Sequence, residues 1–283
     1  MIAQLRKYKD LEVEDRASRI YGVVTALVTS NQDSDNMGRV KVKFPWMGEA
    51  QDKQSYWARI TTFMAGSNRG GYFLPEVDDE VLVAFENGDI NYPYVIGTLW
   101  NGVDKPIEKN SDGKNNIKAI QSRSGHKIIL DDTKDKEKFI LKDKTGKRVL
   151  TFDVKNKSLE LENNEDKGIV KIFAKGKLSI ETEDTLDLKA KKDITIKSSG
   201  DITLDGKNVN IKSSANTSVK SSAKFEVKAS AGVKMATNAQ LELKGTAGAK
   251  VESTGKLDLK STGPATLQSS AITIVKGSLV KVN

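Results

Sequence analysis

The chain has 283 residues, no Cys, a single His and a formal net charge of +8. This composition excludes disulfides, thiolate metal sites and cysteine nucleophiles, and leaves one imidazole for any Ser-His-Asp arrangement. No apolar run approaches the roughly 20 residues of a membrane helix, and the first residues, Met-Ile-Ala-Gln-Leu-Arg-Lys-Tyr-Lys, lack the apolar core of a secretory signal.

Residues 1–18 read as an N-terminal arm. Residues 19–103 read as a compact all-β unit that holds all three Trp (Trp46, Trp57, Trp100). Strands are predicted over Ile20–Val28, Arg39–Phe44, Tyr56–Phe63, Glu80–Phe85 and Tyr94–Trp100, each rich in β-branched or aromatic residues. Turn chemistry separates them: Asn31–Gly38 is polar, Gly66–Gly71 is Gly-rich, and Asn87-Gly88-Asp89 is a strong turn signal. Five strands in this span fit a small closed barrel of the OB type. Such barrels often bind oligonucleotides or sugars, which makes Tyr72 and Tyr92 candidate contacts, although core packing also accounts for aromatics of this kind.

Residues 104–135 read as a linker and junction, and Lys138–Leu161 as hairpins around Thr145-Gly146. From Val170 onward, aliphatic residues fall in i, i+2 pairs that recur every eight residues, with two seven-residue steps. An i, i+2 pair puts both side chains on one face of a strand. The intervening segments, such as Lys-Ser-Ser-Gly at 197–200, read as tight corners. A fixed period of this kind indicates a stacked, quasi-one-dimensional architecture.

The pairs that define this core are Leu178/Ile180, Leu186/Leu188, Ile194/Ile196, Ile202/Leu204, Leu241/Leu243 and Leu257/Leu259, together with Val227. One octad alone buries too little to hold itself together. Either a single chain coils as a solenoid, or three chains intertwine as a triangular prism, which the medium-sized aliphatics suit better. Fifteen octads at about 4.7 Å per stacked strand give a shaft on the order of 70 Å long. The fold class expected is therefore all-β, an OB barrel at 19–103 followed by an intertwined trimeric β-helix within 136–283.

Charge follows the same division. From Val170 onward nineteen Lys face eleven acidic residues, an excess equal to the net charge of the whole chain. Lys189, Lys197, Lys212, Lys220, Lys228, Lys244 and Lys260 directly follow the second aliphatic of an octad, a phase that points outward. With no interleaved aromatics for base stacking, they read as a solvated face that also discourages edge aggregation, and no nucleic-acid partner is expected.

The segments Gly38-Arg-Val-Lys-Val-Lys-Phe-Pro-Trp46, Trp57-Ala-Arg-Ile60, Gly71–Phe85, Glu86-Asn-Gly-Asp89 and Tyr94–Gly102 resemble the OB domain of central spike proteins. These are the baseplate assembly protein V and VgrG proteins of contractile phage tails and type VI secretion. Ser122–Asp132 resembles the segment that joins barrel to needle in VgrG, and the octads resemble the family's trimeric β-helix. The resemblance implies a structural homotrimer, made in the cytoplasm without a signal peptide, assembled into a tail-like particle and driven through a target envelope with transient membrane contact. Full-length VgrG proteins carry a large hub domain before the barrel, so the short residues 1–18 imply a separate hub protein at this end. At the other end the resemblance implies a PAAR-type tip protein, in contact with Ile274, Leu279, Val280, Val282 and Asn283.

The catalytic inventory is thin. His126 lies between Gly125 and Lys127 in the junction, where packing or hydrogen bonding is the simpler role. The carboxylate pairs Asp78/Asp79 and Asp131/Asp132 are adjacent in sequence, not set across a cleft. No His-x-His pair marks a metal-binding tip. The expectation is a non-enzyme without cofactor, catalytic residue or metal ligand. The alternative class is a carbohydrate- or nucleic-acid-binding OB module on a β-helical stalk, with a tailspike-like depolymerase as a third option.

Overall fold

A computed structural model describes residues 19–47 and 54–282. The proposed arm at 1–18 and Asn283 lie outside the described residues. The chain divides into two units, Met1–Thr185 and Leu186–Asn283.

The first unit begins with seven short strands: β1 (Val24–Ser30), β2 (Lys41–Lys43), β3 (Arg59–Ile60), β4 (Ala65–Gly66), β5 (Arg69–Gly70), β6 (Glu80–Phe85) and β7 (Pro93–Thr98). Five of them form one sheet in the order β2-β1-β6-β7-β3. The outer strands meet where the amide of Val40 donates to the carbonyl of Ala58 at 3.0 Å and that of Ala58 donates back at 2.8 Å. Alternation decides which side chains fill the interior. Val81, Val83 and Phe85 point inward from β6, joined by Ala26 and Val28 from β1, and by Val40, Val42, Phe44, Ala58 and Val95. Phe44 stacks obliquely on Phe85, with ring centroids 5.5 Å apart.

Several strands are shorter than expected, because neighbouring residues serve other contacts. Ile20 does not extend β1; its amide donates to Gly88 across the β6–β7 turn at 2.9 Å. At that turn Asn87 and Gly88 both have positive φ, 50° and 78°, as an Asn-Gly turn requires. The Gly-rich stretch expected as a loop holds the small hairpin β4–β5.

After a loop at 99–116 come five more strands: β8 (Ile117–Gln121), β9 (Lys127–Asp131), β10 (Lys138–Lys142), β11 (Arg148–Asp153) and β12 (Ser158–Asn163). They form an antiparallel meander in simple chain order. The hairpin around Thr145-Gly146 is present, with Gly146 (φ 71°) donating to the carbonyl of Asp143 at 3.0 Å. Continuous register aligns side chains in rows across the sheet. One row runs Ile120, Ile128, Leu141, Leu150, Leu161, and the next Lys118, Leu130, Phe139, Phe152, Leu159. The opposite face carries Asp131, Lys138 and Asp153 side by side, next to Ile129, Ile140 and Thr151.

Past Asn163 the chain remains extended, and among the described residues it forms no strand ladder with itself. Its corners are built by hydroxyls. Ser198, Ser213, Thr237, Ser253, Ser261 and Ser269 each accept the amide two residues on, at 3.1–3.3 Å. This Ser/Thr turn bends the backbone locally without a distant partner. It recurs at octad spacing, so the small polar corner residues have a direct physical task.

Candidate assembly surfaces

Three surfaces of the described residues are apolar and open. The first is on the barrel. The β4–β5 hairpin carries Phe63 and Phe73, whose ring centroids lie 6.5 Å apart, and Tyr72 beside them. Phe63 and Tyr72 are 81% and 77% exposed, and they line a cleft of about 1000 Å³ with Met37, Met64 and Leu74. Tyr92 is also exposed. Nearby, Arg59 donates to the hydroxyl of Tyr94, which donates to Glu86, an exposed polar chain over the β6–β7 turn.

Behind the barrel surface, the β1–β2 loop is held by one carboxylate. Asp33 accepts the amides of Asp35, Met37 and Arg39 and takes two bonds from the Arg39 guanidinium, at 2.8 and 2.7 Å. The Arg39 fork holds the Asp33 carboxyl far below its ordinary value, with the loop amides adding to the effect against the cost of burial. Such a planar, bidentate pairing fixes geometry as well as charge. Nothing in the residue pattern singled out Asp33; a lone Asp in a polar loop carries no distinctive signal.

The second surface is the meander face. All nine apolar side chains of its two rows are half-buried or exposed; Leu159 and Leu161 reach 64% and 63%. The polar face is the more tightly built. There Asp153 is buried and bonds Lys138 at 2.7 Å, and Asp131 sits beside them. The Lys138 ammonium lowers the Asp153 carboxyl and is itself raised by Asp153. Asp131 is lowered chiefly by the Thr133 hydroxyl and amide. A groove of about 440 Å³ continues the apolar face past Leu141, Leu150 and Leu161 to Ile169 and Val170.

The third surface is the octad array. Every residue assigned to its core is exposed in the single chain, from Leu186 at 53% to Leu259 at 87%. The charges between and beside these residues pair with each other two positions apart. Asp187 meets Lys189 at 3.0 Å, Glu226 meets Lys224 and Lys228 at 2.6 and 2.7 Å, and Asp258 meets Lys256 at 2.9 Å. An i, i+2 ion pair needs both side chains on one strand face, so the aliphatics occupy the other. Exposed pairs of this type contribute little stability; they report orientation. Ile274, Leu279, Val280 and Val282 continue this exposed pattern.

His126 is exposed in the β8–β9 turn, where its amide donates to the Ser122 hydroxyl at 3.1 Å. Among the described residues no group of three His, Asp or Glu is placed to hold a metal ion. No described helix is long and apolar enough to cross a membrane.

Comparison with known proteins gives a family match for the barrel. Residues 24–100 match the type VI secretion system/phage-baseplate injector OB domain. The chain is 31% identical over 140 residues to the type VI secretion system spike protein VgrG5 of Pseudomonas aeruginosa, covering 46% of this chain and 18% of that protein. It is 40% identical over 72 residues to the spike protein VgrG3 of Vibrio cholerae, covering 25% of this chain and 7% of that one. It is also 35% identical over 74 residues to the actin cross-linking toxin VgrG1 of Vibrio cholerae, again 25% and 7%. The chain thus spans less than a fifth of the length of these relatives. Over the matched OB domain the chain is therefore similar to VgrG spike proteins of type VI secretion and to the phage-baseplate injector.

Proposed function

We propose that the chain works as a homotrimeric, non-catalytic spike. Its barrel seats the assembly on a baseplate hub protein, and its octads wind with those of two further copies into a shaft that pierces the target envelope. The observation that carries this reading is the octad array: paired aliphatics in phase over more than a hundred residues, with ion-paired charges on the opposite strand face. A single chain leaves those rows in water. Three copies cover them with one another and give each strand the backbone partners it lacks alone.

In this arrangement Leu178, Ile180, Leu186, Leu188, Ile194, Ile196, Ile202, Leu204, Val227, Leu241, Leu243, Leu257 and Leu259 share a dry axis. Strand hydrogen bonds run along the shaft, so axial force from the contracting machine reaches the tip without buckling it. A PAAR-type tip protein covers the far end near Ile274, Leu279, Val280, Val282 and Asn283, and contact with the target membrane is transient. The test is co-purification of a tip protein with the full chain and with a chain lacking Leu279–Asn283. Loss of binding on truncation is expected; retained binding overturns this contact.

A further inference from the structure

We infer that Lys212, Lys220 and Lys228 form a phosphate-binding column on the octad array, and that its ligand is the headgroup layer of an anionic lipid membrane. The inference deepens the trimeric spike reading and rests on it, because each column draws one Lys from each of three chains.

Charge is not spread evenly over the octads. From Lys171 to Asp205 seven Lys face seven carboxylates, whereas from Gly206 to Leu241 six Lys face Glu226 alone. That one carboxylate is already held by Lys224 and Lys228, at 2.6 and 2.7 Å. Among the described residues Lys212 and Lys220 meet no carboxylate. The corners at 213–216 and 221–223 are built of Ser, Ala and Asn and leave the ammonium groups open. Their Ser213 and Ser221 hydroxyls donate to the carbonyls of Asn216 and Lys224, at 3.0 and 2.9 Å.

Phase makes these three Lys a unit. Each directly follows the second aliphatic of its octad, Ile211, Val219 or Val227, so all three share one place on the outward strand face. The same position holds Asp205 just before the run and Ala236 just after it, and Glu252 separates Lys244 from Lys260. In the proposed shaft a chain moves to the next face at each octad and rises about 4.8 Å. Each face then stacks Lys212 of one chain, Lys220 of the second and Lys228 of the third. Like charges opposite one another on neighbouring strands are destabilising, and an anion between them removes that repulsion. A phosphate group fits, its oxygens accepting charge-assisted bonds of about 2.8 Å from ammonium groups about 5 Å apart.

Symmetry and composition name the ligand. Three columns face outward around the shaft, and a headgroup layer pierced by the shaft engages all of them. A nucleic acid lying along one side engages a single column. Between Gly206 and Leu241 there is also no Arg, and Phe225, the one aromatic, lies on the aliphatic face and offers no base a stacking platform.

The experiment sediments the full chain with vesicles of phosphatidylcholine alone, or of phosphatidylcholine with about one third phosphatidylglycerol. Lys212→Gln/Lys220→Gln is compared with Lys244→Gln/Lys260→Gln, which removes as many charges at the same octad position outside the column. Sedimentation without vesicles gives the mass of each protein. The expected result is a three-chain mass throughout and binding to the phosphatidylglycerol vesicles only. The first pair weakens that binding at least about tenfold and the second by less than about twofold, while Lys212→Arg/Lys220→Arg retains it. In the unmodified chain, which needs no variant to fold, the vesicles shield Lys212 and Lys220 from acetylation more than Lys244 and Lys260. Equal loss for both pairs, equal shielding, or equal binding to phosphatidylcholine alone overturns the inference. Duplex DNA bound more tightly than the vesicles overturns the choice of lipid. A three-chain mass without vesicle binding overturns the inference and leaves the spike reading standing; a single-chain mass overturns both.

Discussion

Phe139 and Phe152 stand opposite each other on β10 and β11, with ring centroids 5.5 Å apart and planes at 42°, on the open face of the meander. In one chain Phe152 keeps 41% of its surface in water, so truncation there loses little beyond the aromatic contact, about 1 kcal/mol. If three copies cover this face in the proposed spike, the same side chain is buried there and Phe152→Ala is expected to cost about 3 kcal/mol or more per chain. Denaturant midpoints at protein concentrations above and below trimer dissociation measure the difference.

Phe44 closes the barrel core at 1% exposure, against Phe85 and Trp46. Phe44→Ala is expected to destabilise the barrel by about 3–5 kcal/mol through lost transfer energy and the cavity left behind. Near-ultraviolet circular dichroism of the Trp residues, all within the first hundred positions, reads the barrel separately from the shaft.

The Asp33–Arg39 fork makes a sharper prediction about geometry than about charge. Arg39→Lys keeps the charge but loses the two parallel bonds, so the loop amides of Asp35 and Met37 should exchange hydrogen much faster. Unchanged exchange would show that the amide bonds to Asp33 hold the loop without the guanidinium.

Acid stability follows from the carboxyls of the first unit. Asp33, Asp131 and Asp153 are all held below their ordinary value near 3.8. A depressed carboxyl stabilises the fold above its unfolded value and loses that contribution as pH falls through its folded value. These groups should therefore leave stability flat from neutral pH to about 5, with a loss below about 4. Lys138 is raised by Asp153, so its contribution fades only in strongly alkaline solution. Asp153→Asn should flatten the acid limb and the alkaline limb together, measured as melting temperature against pH.

Leu243→Asp puts a charge in each chain of the shaft at a position 75% exposed in the single chain. A surface position would tolerate it. Burial of three unpaired carboxylates in the assembled shaft should instead remove its resistance to heat and detergent, read as loss of the slow-migrating band on unheated gels.

The residues reveal different levels of this protein unequally. β6 was legible to the residue, because Glu80–Phe85 alternates cleanly and ends at an Asn-Gly turn. β3 was not: Tyr56–Phe63 looks like a long strand, yet only Arg59–Ile60 forms a ladder there, flanked by the Ala58 bridge to Val40 and the Thr61 amide bond to Val95. The hairpins near Thr145 were visible, but the five-stranded face was not. Its apolar pairs at 128/130, 139/141, 150/152 and 159/161 are spaced nine or eleven residues apart, and a search for octads passes over them. Asp33 was beyond reach for another reason: its importance lies in five converging donors, which a one-dimensional pattern does not display.

The account depends on three copies covering each other's aliphatic rows, and sedimentation equilibrium of the purified full chain tests this most directly. It predicts a mass three times 31.0 kDa that persists on dilution. A stable species with the mass of one chain would contradict it.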